Sequence, residues 1–284
     1  MSLQKTLNSS FELKGKGLHT GLEIHIKFHP AEADHGIRIK RVDLEGQPDI
    51  PALADYVTST NRGTILKRGE VQIGTIEHAM SALYAHEVDN CLIEVDAPEF
   101  PILDGSAGPF YKAIEAVGIK NIDKTEKDIF IVRQKIEFCD EQSGAKIMIL
   151  PDNEFSIDVY VDYKSPVVAP QYASLDSLAD FGKEIADART FVFVREIEPL
   201  LNMDLIKGGD LENAIVIYDQ ELPQKDLFKL ADLMNQPKVE VDQLGIIGTE
   251  LRYNNELARH KMLDVIGDLS LIGKQIQGKI IAKY

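Results

Sequence analysis

Ala258-Arg259-His260-Lys261-Met262-Leu263-Asp264-Val265-Ile266-Gly267-Asp268 is the stretch on which the reading of the fold turns. With Leu257 before it and Leu269 and Leu271 after it, Met262, Leu263 and Ile266 form a broad apolar face at helical spacing, which predicts a long helix over about Asn255 to Ile272. Runs of strand character precede it at Ile129 to Phe138, Ala145 to Leu150 and Phe155 to Tyr163, the last with alternating Val159 and Val161, and a final strand is predicted at Gly278 to Ala282. The second half therefore reads as a sheet against which a helix packs.

The first half repeats that order. Leu22-Glu23-Ile24-His25-Ile26-Lys27-Phe28 and Ile37-Arg38-Ile39-Lys40-Arg41-Val42 alternate as half-buried antiparallel strands do. Ile76, Ala79, Met80 and Leu83 then give a helix with Thr75 as its predicted N-cap, Cys91 to Val95 gives a strand, and a second helix runs from Ala107 to Val117 and stops at Gly118. The polar stretch Asn121-Ile122-Asp123-Lys124-Thr125-Glu126-Lys127 has little to bury and is the expected linker. The fold class is α+β, with two similar units at 1–123 and 127–284, each a small sheet packed with helices. No sequence self-similarity stands out between the halves, so a duplication is inferred from element order alone.

Composition narrows the function. A chain of 284 residues with 44% apolar and 27% charged residues is long enough for a sizeable core and shows no bias toward disorder. No run approaches the roughly 20 apolar residues of a membrane span, and Met1 to Lys5 lacks a signal-peptide core, so an integral membrane segment is not expected and the cytoplasm is the expected compartment. Cys91 and Cys139, one in an apolar run and one at a strand end, do not make a disulfide framework and read as buried or idle thiols. A net charge of −15, with no Lys/Arg-rich run, argues against nucleic acid and anionic membrane surfaces as partners. An anionic small molecule would have to be held by a few placed cations and backbone amides.

The chemistry concentrates on two helices. His260, Asp264 and Asp268 recur every four residues on one helical stripe, and that step lets two side chains reach one cation. The alternative is a solvated polar face, against which the apolar neighbours make the helix largely buried, where unpaired acids are expensive. In Thr75-Ile76-Glu77-His78, adjacent Glu and His sit roughly 100° apart on an otherwise apolar helix, a pairing that alone is more often structural. If the two segments meet, they supply His, His and Asp, with a fourth tetrahedral position for water and Glu77 beside it as base.

Gly15-Lys16-Gly17-Leu18-His19-Thr20-Gly21, the Thr75 to Leu83 segment, Pro101-Ile102-Leu103-Asp104-Gly105-Ser106-Ala107, Ala188-Arg189-Thr190-Phe191, Gly208-Gly209 with Asn213-Ala214-Ile215-Val216, and Arg259 to Asp268 occur in one order along essentially the whole chain. In this the sequence resembles the zinc-dependent UDP-3-O-acyl-N-acetylglucosamine deacetylases. The resemblance implies two similar α+β units with the active site between them. It also implies hydrolysis of the N-acetyl group of UDP-3-O-(3-hydroxyacyl)-N-acetylglucosamine to the amine and acetate, in lipid A biosynthesis of a Gram-negative cytoplasm.

Residue by residue, the resemblance implies His78, His260 and Asp264 as zinc ligands, Glu77 as general base and Thr190 as a donor to the oxyanion. Lys261 is expected at the diphosphate or the leaving amine, and Phe191 as a wall for the substrate. Leu18 and His19 are expected near the mouth of the acyl-chain passage, with Ile197, Gly209, Ala214 and Val216 along its second-half side; each could equally be ordinary core. Asp268 resembles the acid that pairs with a C-terminal histidine, the donor to the leaving amine. No histidine follows His260, and His25, His29, His35 and His86 fall on no family motif, so truncation beyond Tyr284 is expected. Some family members carry a hydroxyacyl-carrier-protein dehydratase fused after the deacetylase. The rival readings are a non-catalytic zinc or nucleotide-sugar binding module, suggested by the missing histidine, and a zinc hydrolase of another amide.

Overall fold

The alternation of residues 23–28 buries Ile24, Ile26 and Phe28 and leaves Glu23, His25 and Lys27 on the outer side of the strand Glu23–Pro30. That strand sits in a five-stranded sheet whose order is Phe11–Lys16, Glu23–Pro30, Cys91–Val95, Ile37–Arg41, Asp49–Pro51. Here and throughout, the computed structural model describes residues 2–238, 240 and 243–284.

The second half builds a sheet of the same order from Ile136–Cys139, Lys146–Leu150, Gln275–Lys283, Phe155–Val161 and Gln171–Leu175, with Ile129–Ile131 added alongside Gln275–Lys283. The senses match as well. Cys91–Val95 is antiparallel to Glu23–Pro30 and parallel to Ile37–Arg41. Gln275–Lys283 is antiparallel to Lys146–Leu150 and parallel to Phe155–Val161. The duplication that element order suggested is thus present in topology, and the class is α+β.

A parallel pair cannot be closed by a hairpin and needs a crossover. The helices are α1 (Glu77–Ala85), α2 (Gly108–Val117), α3 (Phe181–Glu184), α4 (Val194–Asn202), α5 (Gln224–Leu233) and α6 (Glu256–Ser270). In the first half the crossover contains α1, and in the second it contains α6. The two packed crossovers occupy equivalent places, and one apolar cluster runs through both sheets and both helices, including Phe28, Ile93, Met80, Leu83, Met262, Ile266, Val159 and Ile280. At their contact Gly267 of α6 lies on the backbone of α1: a Cβ there would stand 2.2 Å from the Glu77 carbonyl oxygen. The first turn of α1 is therefore held against α6 at a distance only glycine permits.

Three features depart from the sequence reading. Thr75 is not the N-cap: Ile76 precedes α1, and Thr75 adopts φ 55° in the left-handed region, its hydroxyl donating to Glu99 at 3.2 Å rather than to the helix. The polar stretch read as a linker lies largely within the strand Ile119–Glu126, which pairs with Leu3–Leu7 through backbone bonds that need no apolar side chains. Residues 191–247 contain a three-stranded sheet, Phe191–Phe193, Ile215–Tyr218 and Gly245–Ile247, covered by α4 and α5, which periodicity did not reveal. Of the two thiols Cys91 is buried and Cys139 exposed, and both are free. Among the described residues no helix is long and apolar enough to cross a membrane.

Replacing Gly267 with alanine should destabilise the chain by about 1–3 kcal/mol, the usual cost of overpacking a closed contact. Gly245→Ala, where an added Cβ meets nothing within 4 Å, should stay within about 0.5 kcal/mol of the parent. Denaturant titration of both variants measures the difference, and equal stabilities would show that the α1–α6 approach is not close enough to matter.

Candidate metal centre and adjoining passage

Because α1 and α6 cross at their glycine contact, the first turn of α1 faces the middle of α6. His78 Nε2 comes within 3.8 Å of Asp264 Oδ1, and His260 Nε2 within 3.5 Å of the same oxygen. Two ligands about 2 Å from a shared tetrahedral ion stand about 3.3 Å apart, so the set needs only small adjustment to hold one. His78, His260 and Asp264 form a group whose ligand atoms all lie within 4.8 Å of one another, and both histidines are buried. Their rings meet edge to face, 5.0 Å between centroids.

Protonation states suit ligation. Burial, then the neighbouring His260, pushes the His78 imidazolium down to about 3, leaving the ring neutral. His260 Nδ1 lies 3.0 Å from the Ala188 carbonyl oxygen, which can only accept, so Nδ1 carries a proton while Nε2 faces Asp264. Burial works against the Asp264 carboxylate, but the Lys261 ammonium leads the neighbours that hold it below its usual range. Lys261 donates to Asp264 Oδ2 at 2.9 Å. Burial disfavours its charge, yet Asp264 and the Tyr163 phenol raise it above the ordinary lysine range.

Two further carboxylates face the same cavity. Glu77, at the start of α1, is only 8% exposed and accepts from the Thr64 amide at 3.1 Å. Burial, then Asp264, pushes its acid up to about 8. Asp268, one turn beyond Asp264, accepts from the Thr64 hydroxyl, and burial raises it to about 6. Of the cavity's cations, Lys261 is spent on Asp264, and Arg62 pairs with Glu196 at 2.8 Å. Among the described residues Glu77 and Asp268 thus face the cavity without a paired ammonium or guanidinium, and added positive charge would relieve both.

Thr190 lines this cavity, its amide donating to Gly105 at 2.7 Å and its carbonyl accepting from Ile215 at 2.8 Å. A Cβ on Gly105 would stand 2.0 Å from the Asn213 carbonyl oxygen, and its φ is 81°, so the Asp104–Ser106 turn can lie against this segment only as glycine. Next to the polar cavity, and sharing Leu18, Arg62, Thr190 and Phe191 with it, runs an apolar passage. Leu18, His19, Phe191, Ile197, Gly209, Ala214 and Val216 all line it, so the structure brings these seven sequence-predicted residues to one channel, while Lys261 lines the polar cavity. His19 closes one side, its Nε2 donating to Arg62 O at 3.1 Å and its Nδ1 accepting from the Ile206 amide at 3.4 Å.

Sequence reasoning missed Thr64, Tyr163 and the Arg62–Glu196 pair in the cavity wall, and Leu227, Leu230 and Met234 in the passage. Thr64 and Arg62 stand in a loop with no periodicity to mark them. Leu227 and Leu230, three apart on α5, carry a helical spacing that marks them as one buried face.

A sequence profile for UDP-3-O-acyl N-acetylglycosamine deacetylase matches residues 4–245 and 222–284. A Porphyromonas gingivalis protein named "Bifunctional enzyme LpxC/FabZ" is 57% identical over 283 residues, covering 99% of this chain and 61% of that protein. One of the same name from Bacteroides thetaiotaomicron is 55% identical with the same coverage. A UDP-3-O-acyl-N-acetylglucosamine deacetylase of Myxococcus xanthus is 38% identical over 281 residues, 98% of this chain and 81% of its own length. The chain spans about 61% of the length of the two bifunctional relatives.

The raised carboxyls predict a pH dependence. A Glu77 that titrates near 8 in the folded metal-free chain and near 4.5 when unfolded binds more proton folded than unfolded between those values. Its effect is therefore to lower stability as pH rises from about 5 to about 8. Glu77→Gln should flatten that slope in metal-free protein, read as denaturation midpoints across the range. An unchanged slope would show that the Glu77 carboxyl is not held protonated by its surroundings.

Proposed function

This chain belongs to the UDP-3-O-acyl N-acetylglycosamine deacetylase family, and on that premise we propose that it hydrolyses the N-acetyl group of UDP-3-O-(3-hydroxyacyl)-N-acetylglucosamine to the free amine and acetate. The observation that carries the proposal is the meeting of His78, His260, Asp264 and Glu77 at one polar cavity that adjoins an apolar passage. A substrate with an acetamide beside a long acyl chain needs both. The lipid A pathway and a cytoplasmic setting belong to the same reading, as does a second enzyme joined to the deacetylase, which the two bifunctional relatives' name states for those proteins. We take the chain as two α+β units, 1–123 and 127–284, that contribute α1 and α6 to the site.

Two imidazoles and a carboxylate suit zinc better than magnesium or calcium, and His78, His260 and Asp264 are its proposed ligands. The chemistry such an ion supplies when bound is Lewis-acid polarisation of the scissile carbonyl and acidification of water. Glu77 Oε2 is engaged by the Thr64 amide, which leaves Oε1 to take the proton of the attacking water. Thr190, pinned through its backbone on both sides at the cavity wall, is proposed to donate its hydroxyl to the charge that appears only in the tetrahedral state. Lys261, held charged by Asp264, is proposed to bind the diphosphate or the departing amine. Asp268 orients the donor that protonates that amine. Phe191 walls the substrate, and Leu18, His19, Ile197, Gly209, Ala214 and Val216 receive the acyl chain.

Glu77→Ala should keep its metal and release acetate about 100-fold or more slowly, whereas His78→Ala should lose metal and turnover together. Elemental analysis and acetate release from the nucleotide sugar separate the two. Unchanged turnover in Glu77→Ala removes that residue from the mechanism. Metal binding without acetate release by the parent protein would favour the non-catalytic reading, and release from a different amide alone would favour the third.

A further inference from the structure

We infer that Glu256 is a positioning residue for the metal centre, acting on His260 through a single peptide group, that of Ala188 and Arg189. Glu256 opens α6 and is fully buried. His260 lies one turn further on the same helix face. The peptide between Ala188 and Arg189 spans the two. Its carbonyl oxygen accepts from His260 Nδ1 at 3.0 Å, and its N–H donates to Glu256 Oε1 at 3.0 Å. A carboxylate, a peptide and an imidazole thus form one hydrogen-bonded chain, ending at the Nε2 atom that faces Asp264.

A buried carboxylate is tolerated only when its oxygens are filled. Glu256 Oε1 also accepts from Arg189 Nε at 2.9 Å. Its Oε2 accepts from Arg189 Nη2 at 3.2 Å and from the Arg252 amide at 2.6 Å. The Arg189 guanidinium is anchored in turn by the Thr249 hydroxyl at 2.7 Å and the Glu250 carbonyl at 2.6 Å. These bonds lock the peptide's rotation and polarise it, negative charge at the N–H end making its carbonyl a stronger acceptor. Metal-bound histidines commonly give their second N–H to a carboxylate or a carbonyl. Here the carbonyl relays the carboxylate. Thr190 is the next residue of the same segment, just before the strand Phe191–Phe193, so the peptide also sets where that hydroxyl starts.

The inference rests on the proposed role of His260 as a metal ligand, and the experiment keeps the two apart. Zinc affinity is measured by chelator competition for the parent, His260→Ala, Glu256→Gln and Arg189→Lys, each with its thermal midpoint. Glu256→Gln should bind zinc about 10- to 100-fold more weakly, the usual loss when a ligand's hydrogen-bond partner is removed. Arg189→Lys keeps the charge and the peptide N–H, so it should lose stability yet retain near-parent affinity. If both weaken zinc in step with their loss of stability, Glu256 is a structural ion-pair partner only and the inference fails. If His260→Ala binds zinc as the parent does, the ligand assignment itself fails. A second measurement needs no variant to fold: the imidazole nitrogen spectrum of the metal-free parent should show a proton on His260 Nδ1, and a ring protonated on Nε2 alone would overturn the relay.

Discussion

The contact of Gly267 with the backbone of Glu77 is the constraint on which the rest depends. It fixes how near α1 and α6 lie, and they carry the paired histidines and the carboxylates from opposite halves of the chain. Neither helix brings a site by itself. α1 offers an adjacent Glu and His that point in different directions, and α6 offers a four-residue stripe. Their equivalence as crossovers of matching sheets explains why they meet: each belongs to the connection between the strands of its own parallel pair, and the shared core fuses the two layers.

That meeting has an electrostatic cost. A buried cavity lined by Glu77, Asp264 and Asp268, with Lys261 committed to Asp264, holds two carboxyls displaced upward from their ordinary range. In a chain already at −15 such crowding needs a local reason. A cation held there would be that reason, because it would turn mutual repulsion into ligation and lower the cost of each acid at once. The neutral His78 and a His260 that donates through Nδ1 fit the same end state, since each turns its Nε2 toward Asp264.

Much of this was legible in the sequence because the signals were local. The alternation of 23–28 and the apolar face of 257–271 are periodicities of single elements, and the four-residue stripe from His260 follows from helix geometry alone. What was not legible is set by partners distant in sequence or by unusual backbone. Thr75 looks like a cap, but its left-handed φ and its bond to Glu99 are decided by a loop 24 residues on. Residues 119–126 look like a linker because their pairing with Leu3–Leu7 runs through the backbone. The 191–247 region escaped because its strands are three or four residues long and α4 has Pro199 inside it. Glu256 gave no sign at all, its arginine lying 67 positions away. The catalytic assignments came from motif resemblance, and the geometry supplies what resemblance does not: which atoms face one another.

The central claim is that one zinc ion binds where α1 and α6 cross. X-ray absorption at the zinc edge of the purified chain tests it most directly. The account predicts one zinc per chain with only nitrogen and oxygen neighbours at about 2.0–2.2 Å, two of them imidazoles. A sulfur neighbour at about 2.3 Å, which only Cys91 or Cys139 or methionine sulfur could provide, or a shell without imidazole, would contradict it.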